Sequence, residues 1–154
     1  MSKVPKSRPA IDDIEARFAA LRAEFPGFDI GPSDMPGTPY RAVREGGGEK
    51  AVVLLAGSYD GLWGLLSQRA AADTQLSTLA RRMTVRKYGV DVGCHWVVVS
   101  LNVRGIPRAV RVTCEPRPKA DDELWLWTHW GDPLAQANDV MGAEVALVGL
   151  LARP

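Results

Sequence analysis

Two nine-residue stretches of this chain carry one pattern. Ala23-Glu24-Phe25-Pro26-Gly27-Phe28-Asp29-Ile30-Gly31 aligns with Val85-Arg86-Lys87-Tyr88-Gly89-Val90-Asp91-Val92-Gly93, an aromatic closing each helical stretch before a Gly-apolar-Asp-apolar-Gly step. The match suggests an internal repeat in tandem, though it is weak outside this stretch. Residues 11–72 read as α-β-β-β-α, and residues 73–154 read in the same order. A three-stranded sheet with helices on one face is small by itself. The expected fold is therefore α+β: two tandem α-β-β-β-α units forming a mostly antiparallel six-stranded sheet, with helices packed on one face around a shared core. At 154 residues the chain has the size of one domain and can bury ~70% of its unfolded surface, so it needs no metal or disulfide to hold it.

Residues 1–10 read as a tail. Lys3, Lys6 and Arg8 are basic and Pro5 and Pro9 interrupt any period, which suits a solvated arm or a basic contact arm. A first helix is expected over 11–25, with Ile14, Phe18, Leu21 and Phe25 on one stripe and Pro26-Gly27 as its stop. Strands are expected over 28–30, 40–44 and 51–56, with Gly46-Gly47-Gly48 as the loop between the last two. A second helix starts near Ser58, capped by Ser58 or Asp60, with Leu62, Trp63, Leu65 and Leu66 as its apolar face. A third runs over 73–87 with Leu76, Leu79, Ala80 and Met83 inward; Ala70, Ala71 and Ala72 leave open whether the two are one long helix. Strands resume over 94–103, 108–114 and 123–130. The middle one alternates cleanly, with Val110, Val112 and Cys114 on one face and Arg111, Thr113 and Glu115 on the other. A closing helix covers 143–152, started either by Asp132-Pro133 or by Asn138-Asp139, with Val140, Met141, Val145, Val148 and Leu151 toward the core.

Composition excludes more than it selects. Nineteen basic and eighteen acidic residues leave a net charge of +1, which names no partner. No apolar run approaches the ~20 residues of a membrane span. Two cysteines without a leading apolar signal segment point to the cytoplasm and reduced thiols. Cys94, His95, Cys114 and His129 lack the spacing of a zinc site, and adjacent Cys94 and His95 would point to opposite faces of a strand; neither a metal nor any other cofactor is expected. Ser58 stands at a strand-to-helix turn, where a nucleophile would stand, but an N-cap accounts for it equally well. Gly46-Gly47-Gly48-Glu49-Lys50 has neither the spacing of a phosphate loop nor a helix after it.

Four of the five tryptophans fall in the second half. Period-2 alternation puts Trp125, Trp127 and His129 on one face, and if Val97, Val99 and Leu101 face the helices, Trp96 faces away. Trp96, Arg111, Thr113, Trp125, Trp127 and His129 then share a sheet surface that no helix covers. Such a surface is either a binding face or a set of indoles packed across strands. Between Arg81 and Lys119 stand nine basic residues and two acidic ones, whereas 121–144 holds six acidic residues and no Lys or Arg.

The run Trp125-Leu126-Trp127-Thr128-His129-Trp130-Gly131-Asp132-Pro133-Leu134, with Asn138-Asp139 and an Ala-rich closing helix, resembles a group of small, functionally uncharacterised actinobacterial proteins with a Trp-rich strand, a Trp-Gly-acidic-Pro-apolar step and a final helix. Glu24-Phe25-Pro26-Gly27-Phe28 after an Arg- and Ala-rich helix is similar to a second such group. The resemblance covers residues 11–31 and 120–152 and implies no activity. His129 departs from it, standing where the first group has a small polar residue or Trp.

The function expected is that of a non-catalytic cytoplasmic interaction or adaptor protein. It would hold a protein partner on the face carrying Trp96, Arg111, Trp125, Trp127 and His129. A nucleic-acid-binding module using the basic 81–119 stretch is the alternative, and a small enzyme is a third.

Overall fold

The computed structural model describes residues 10–45, 51–118 and 123–153, with side chains from Ile14 onward. The basic tail, the Gly46-Gly47-Gly48 loop and Lys119 lie outside the described residues. The elements are α1 (Ala10–Glu24), β1 (Asp29–Pro32), β2 (Tyr40–Arg44), β3 (Val52–Ala56), α2 (Tyr59–Val85), β4 (Gly89–Val92), β5 (Trp96–Val103), β6 (Ile106–Pro116), β7 (Leu124–Thr128), β8 (Pro133–Gln136) and α3 (Val140–Ala152). The chain divides into two compact units, residues 1–68 and 69–154, with the division inside α2. The fold is α+β, but the strands form two antiparallel sheets, β1-β2-β3 and β4-β5-β6-β7-β8, in place of the expected six-stranded one. Local alternation decides which face of a strand is buried and says nothing about which edges pair, and two four-residue edge strands, β4 and β8, carry too short a pattern to be recognised.

In the first unit Phe18, Leu21 and Phe25 of the expected stripe are buried with Ile30, Ala42, Ala56, Leu62 and Leu66. Ile14, Trp63 and Leu65 are exposed instead. Ser58 Oγ accepts from the Gly61 N–H at 3.0 Å, so its lone pair caps α2. The polyalanine stretch continues the helix, and the second and third helices are one element of 27 residues. No described helix is long and apolar enough to cross a membrane.

In the second unit Leu76, Leu79, Ala80 and Met83 of α2 meet Val97, Val99, Val110, Val112, Cys114 and Leu126 from one face of the sheet, together with Ala143, Leu147 and Leu151 of α3. Lys87 ends α2 in a left-handed conformation (φ 74°), with the Tyr88 N–H donating to Met83 O at 3.1 Å, a Schellman-type ending without its usual glycine. Asp139 caps α3: its Oδ1 accepts from Gly142 N at 3.0 Å. A Cβ on Gly142 would lie 2.3 Å from the Asp139 carboxylate, so the cap needs glycine there. Asp132-Pro133 instead serves the β7–β8 turn, where Thr128 Oγ1 accepts from Asp132 N at 3.0 Å and Gly131 takes φ 96°.

The inward face of α3 is the expected one at Val140, Val148 and Leu151 but not at Met141 and Val145. Val140, Ala143, Glu144, Leu147 and Leu151 are buried, while Met141 and Val145 are exposed. Glu144 binds the guanidinium Nε of Arg82 at 2.5 Å and that of Arg86. Hydrogen bonds from Arg86 and then Arg82 hold its carboxyl below the ordinary 4.5, against a burial that pushes it up.

Candidate functional site

The second sheet has its hydrophobic core on one face only. Its register sets Trp96 opposite Thr113 and Thr113 opposite Trp127, with Glu115 opposite Trp125. Because Val97, Val112, Cys114 and Leu126 go to the core, alternation sends Trp96, Arg111, Thr113, Glu115, Trp125 and Trp127 to the other face. All three indoles are half-buried and Arg111 is exposed.

Each indole is held by neighbours on that face. Trp96 lies so close over Gly93 that a Cβ there would fall 2.1 Å from the ring, and the Arg111 guanidinium sits 4.8 Å from its centroid. Arg117 lies 4.4 Å from the Trp125 ring and 6.0 Å from that of Trp127. Trp127 Nε1 donates to Glu115 O at 3.1 Å. Trp125 Nε1 is buried and meets no hydrogen-bond acceptor among the described residues. Arg69 anchors the end of β6, donating to Glu115 Oε2 at 3.3 Å and to Cys114 O at 3.4 Å.

Of the expected site residues, Trp96, Arg111, Trp125 and Trp127 share this face. His129 does not continue it. It lies in the turn after β7, where its Nδ1 accepts from Arg111 N at 3.1 Å, so the imidazole substitutes for the backbone partner the ladder lacks beyond Thr128. Its ring stands edge-on to Trp130 at 4.8 Å. In the sequence Arg117 stands only as one of the nine basic residues of the 81–119 stretch; continuing the Arg111, Thr113, Glu115 alternation by two residues is the signal that places it on this face.

The reactive side chains are elsewhere. Cys94 and His95 occupy the turn between β4 and β5, not a strand, so alternation does not separate them, and Cys94 Sγ lies 3.0 Å from His95 Nδ1. Cys114 continues the Val110 and Val112 face as expected and is fully buried; burial pushes its thiol up to about 12. No three His, Cys, Asp or Glu residues among those described are grouped to hold a metal. The basic 81–119 stretch does not lie on one surface: Arg82 and Arg86 bind Glu144 on the helices, whereas Arg111 and Arg117 lie on the outer face of the sheet.

Comparison with known proteins gives no match: no family model, no curated protein and no solved structure matches the chain.

Proposed function

We propose that the chain is a non-catalytic protein-interaction module whose five-stranded sheet takes an acidic segment of a partner protein on its outer face. The observation that carries this reading is the stacking of Arg111 on Trp96 and of Arg117 on Trp125, on the side of the sheet away from the core. A guanidinium lying on an indole has less rotamer freedom left to lose and keeps N–H donors at its rim in the geometry that suits a carboxylate. Rigid aromatics and arginines are also the residues enriched at the energetic centres of protein interfaces. The acceptor-less Trp125 Nε1 adds support, since a carbonyl or carboxylate reaching it would satisfy a buried donor that costs ~1–3 kcal/mol when unmet.

Single-stranded nucleic acid is less well matched. Base stacking needs open ring faces, and these two rings carry the protein's own arginines. Glu115 on the same face, and the pairing of Arg82 and Arg86 with Glu144, leave no continuous basic track among the described residues.

The test is retention of a partner from native extract by the wild-type chain, compared with Trp125→Ala and Arg117→Ala. The reading requires that a specific protein be lost with both variants while the melting temperature changes little. A steep salt slope with bound nucleic acid would favour the other reading. A collapse of folding in Trp125→Ala, with Arg117→Ala retaining every partner, would overturn the site.

A further inference from the structure

α3 is apolar on every side. Of its thirteen residues only Glu144 is polar, and Glu144 turns inward to Arg82 and Arg86. A helix hydrophobic all round is normally buried all round. This one is not. Met141 and Val145 are 64% and 66% exposed, and with the exposed Gly149 and Ala152 they follow the i, i+4, i+8, i+11 spacing of a single stripe. Beside the stripe runs a groove of about 370 Å³, lined by Trp130, Pro133, Leu134, Val145, Ala146 and Gly149 among others. Trp130 is 49% exposed and is steadied by its Nε1 donating to Asp132 Oδ2 at 2.8 Å. The ridge and the groove form one apolar surface, of the kind that marks an interface.

We propose that this surface is a homodimer interface, with α3 of a second copy packed against it about a two-fold axis. The charges of the groove identify the occupant. Its lining carries one acid, Asp132, and one base, Arg153. A surface with one charge of each sign can complement a copy of itself, since a two-fold axis that sets Arg153 of one copy against Asp132 of the other pairs both charges. A strongly acidic or strongly basic partner would meet a like charge there. The ridge supplies the knobs, Met141 and Val145, and Ala146 with Gly149 lowers the surface beside them so that a second helix approaches closely. This inference concerns a different face from the proposed partner site and stands without it.

Sedimentation velocity on the full chain, at concentrations from about 1 to 100 μM, tests it over the range where a dimer of micromolar affinity dissociates. The wild type should dimerise, and Val145→Glu should weaken the dimer at least ~100-fold, since it buries a charge at the centre of the contact. Val145 is exposed in the single chain, so its circular dichroism should not change; if it does, Met141→Lys takes its place. Arg153→Glu should weaken the dimer ~10-fold, with most of the loss relieved at high salt. A wild type that is monomeric throughout, which would leave the face to a partner of another kind, overturns the proposal. So does a dimer that survives both Val145→Glu and Met141→Lys.

Discussion

In the first unit most of the aromatic rings belong to the core, Trp63 excepted; in the second most of them do not, Tyr88 excepted. Phe18 and Phe25 are part of the buried core of residues 1–68, and Phe28, Tyr40 and Tyr59 pack against it. The buried core of residues 69–154 is built of Val, Leu, Ala, Met and Cys, and Trp96, Trp125 and Trp127 lie on the far side of the sheet. Arginine stacks on rings in both units, but to different ends. Arg22 and Arg44, over Phe18 and Phe28 at 5.7 and 4.9 Å, cover the rim of a small core with their stems. Arg111 and Arg117 cover indoles that the core does not use. The cause is strand length. β5 and β6 have eight and eleven residues, long enough for aliphatic side chains alone to build a core, whereas a sheet of strands no longer than five needs large rings to fill its interior. A ring that the core does not need is available to be something else.

The comparison is broken most directly by dividing the chain. Among the described residues the second core buries seventeen and the first eight. A fragment spanning 59–154, which keeps α2 whole, should unfold cooperatively on heating. A fragment spanning 1–68 should not, since a small core with a severed helix falls below what sustains a fold. Cooperative melting of the shorter fragment would mean that the two units are equals.

The two faces of β7 separate next. Leu126→Ala should cost about 3 kcal/mol in chemical denaturation, because it empties a fully buried site. Trp125→Ala, one residue away on the other face, should cost about 1 kcal/mol, because its ring is half-buried and the cavity left opens to solvent. Equal losses would make the indole a core residue.

Glu144 offers a smaller effect with a pH signature. Glu144→Gln should cost about 2 kcal/mol at pH 7, less than a fully buried ion pair because Arg82 and Arg86 reach solvent. The folded carboxyl lies below 4.5, its ordinary value. The unfolded chain therefore binds the proton first, and the stabilisation is complete above about pH 4.5 and lost as the pH falls toward the folded value. Urea titrations of both proteins at pH 7 and pH 3 should show the gap closing in acid; a gap independent of pH would sink this account.

The smallest effect is a gain. Lys87 has φ 74°, which costs a side-chain-bearing residue about 1 kcal/mol. Lys87→Gly should raise the stability of the second unit by up to about that amount, read as a higher urea midpoint with an unchanged slope.

The sequence by itself determined whatever depends on neighbours along the chain. Period-2 alternation told which face of β6 hides Cys114, since a strand's side chains must take turns. Asn138-Asp139 was one of two readable starts for the last helix, and Ser58 one of two readable caps for α2. The tryptophan positions in β5 and β7 follow the same alternation, which puts Trp96, Trp125 and Trp127 on one face. Tertiary structure alone decided what depends on partners distant in sequence. An uninterrupted apolar helix has no period, so nothing local to α3 could tell that Met141 and Val145 face out and Glu144 faces in; two arginines a whole sheet earlier in the chain set that rotation. The break between a three-stranded and a five-stranded sheet was hidden for the same reason. A strand's edge exposes the same N–H and C=O groups whatever its sequence, and which edge they meet is settled by the packing of the helices around them.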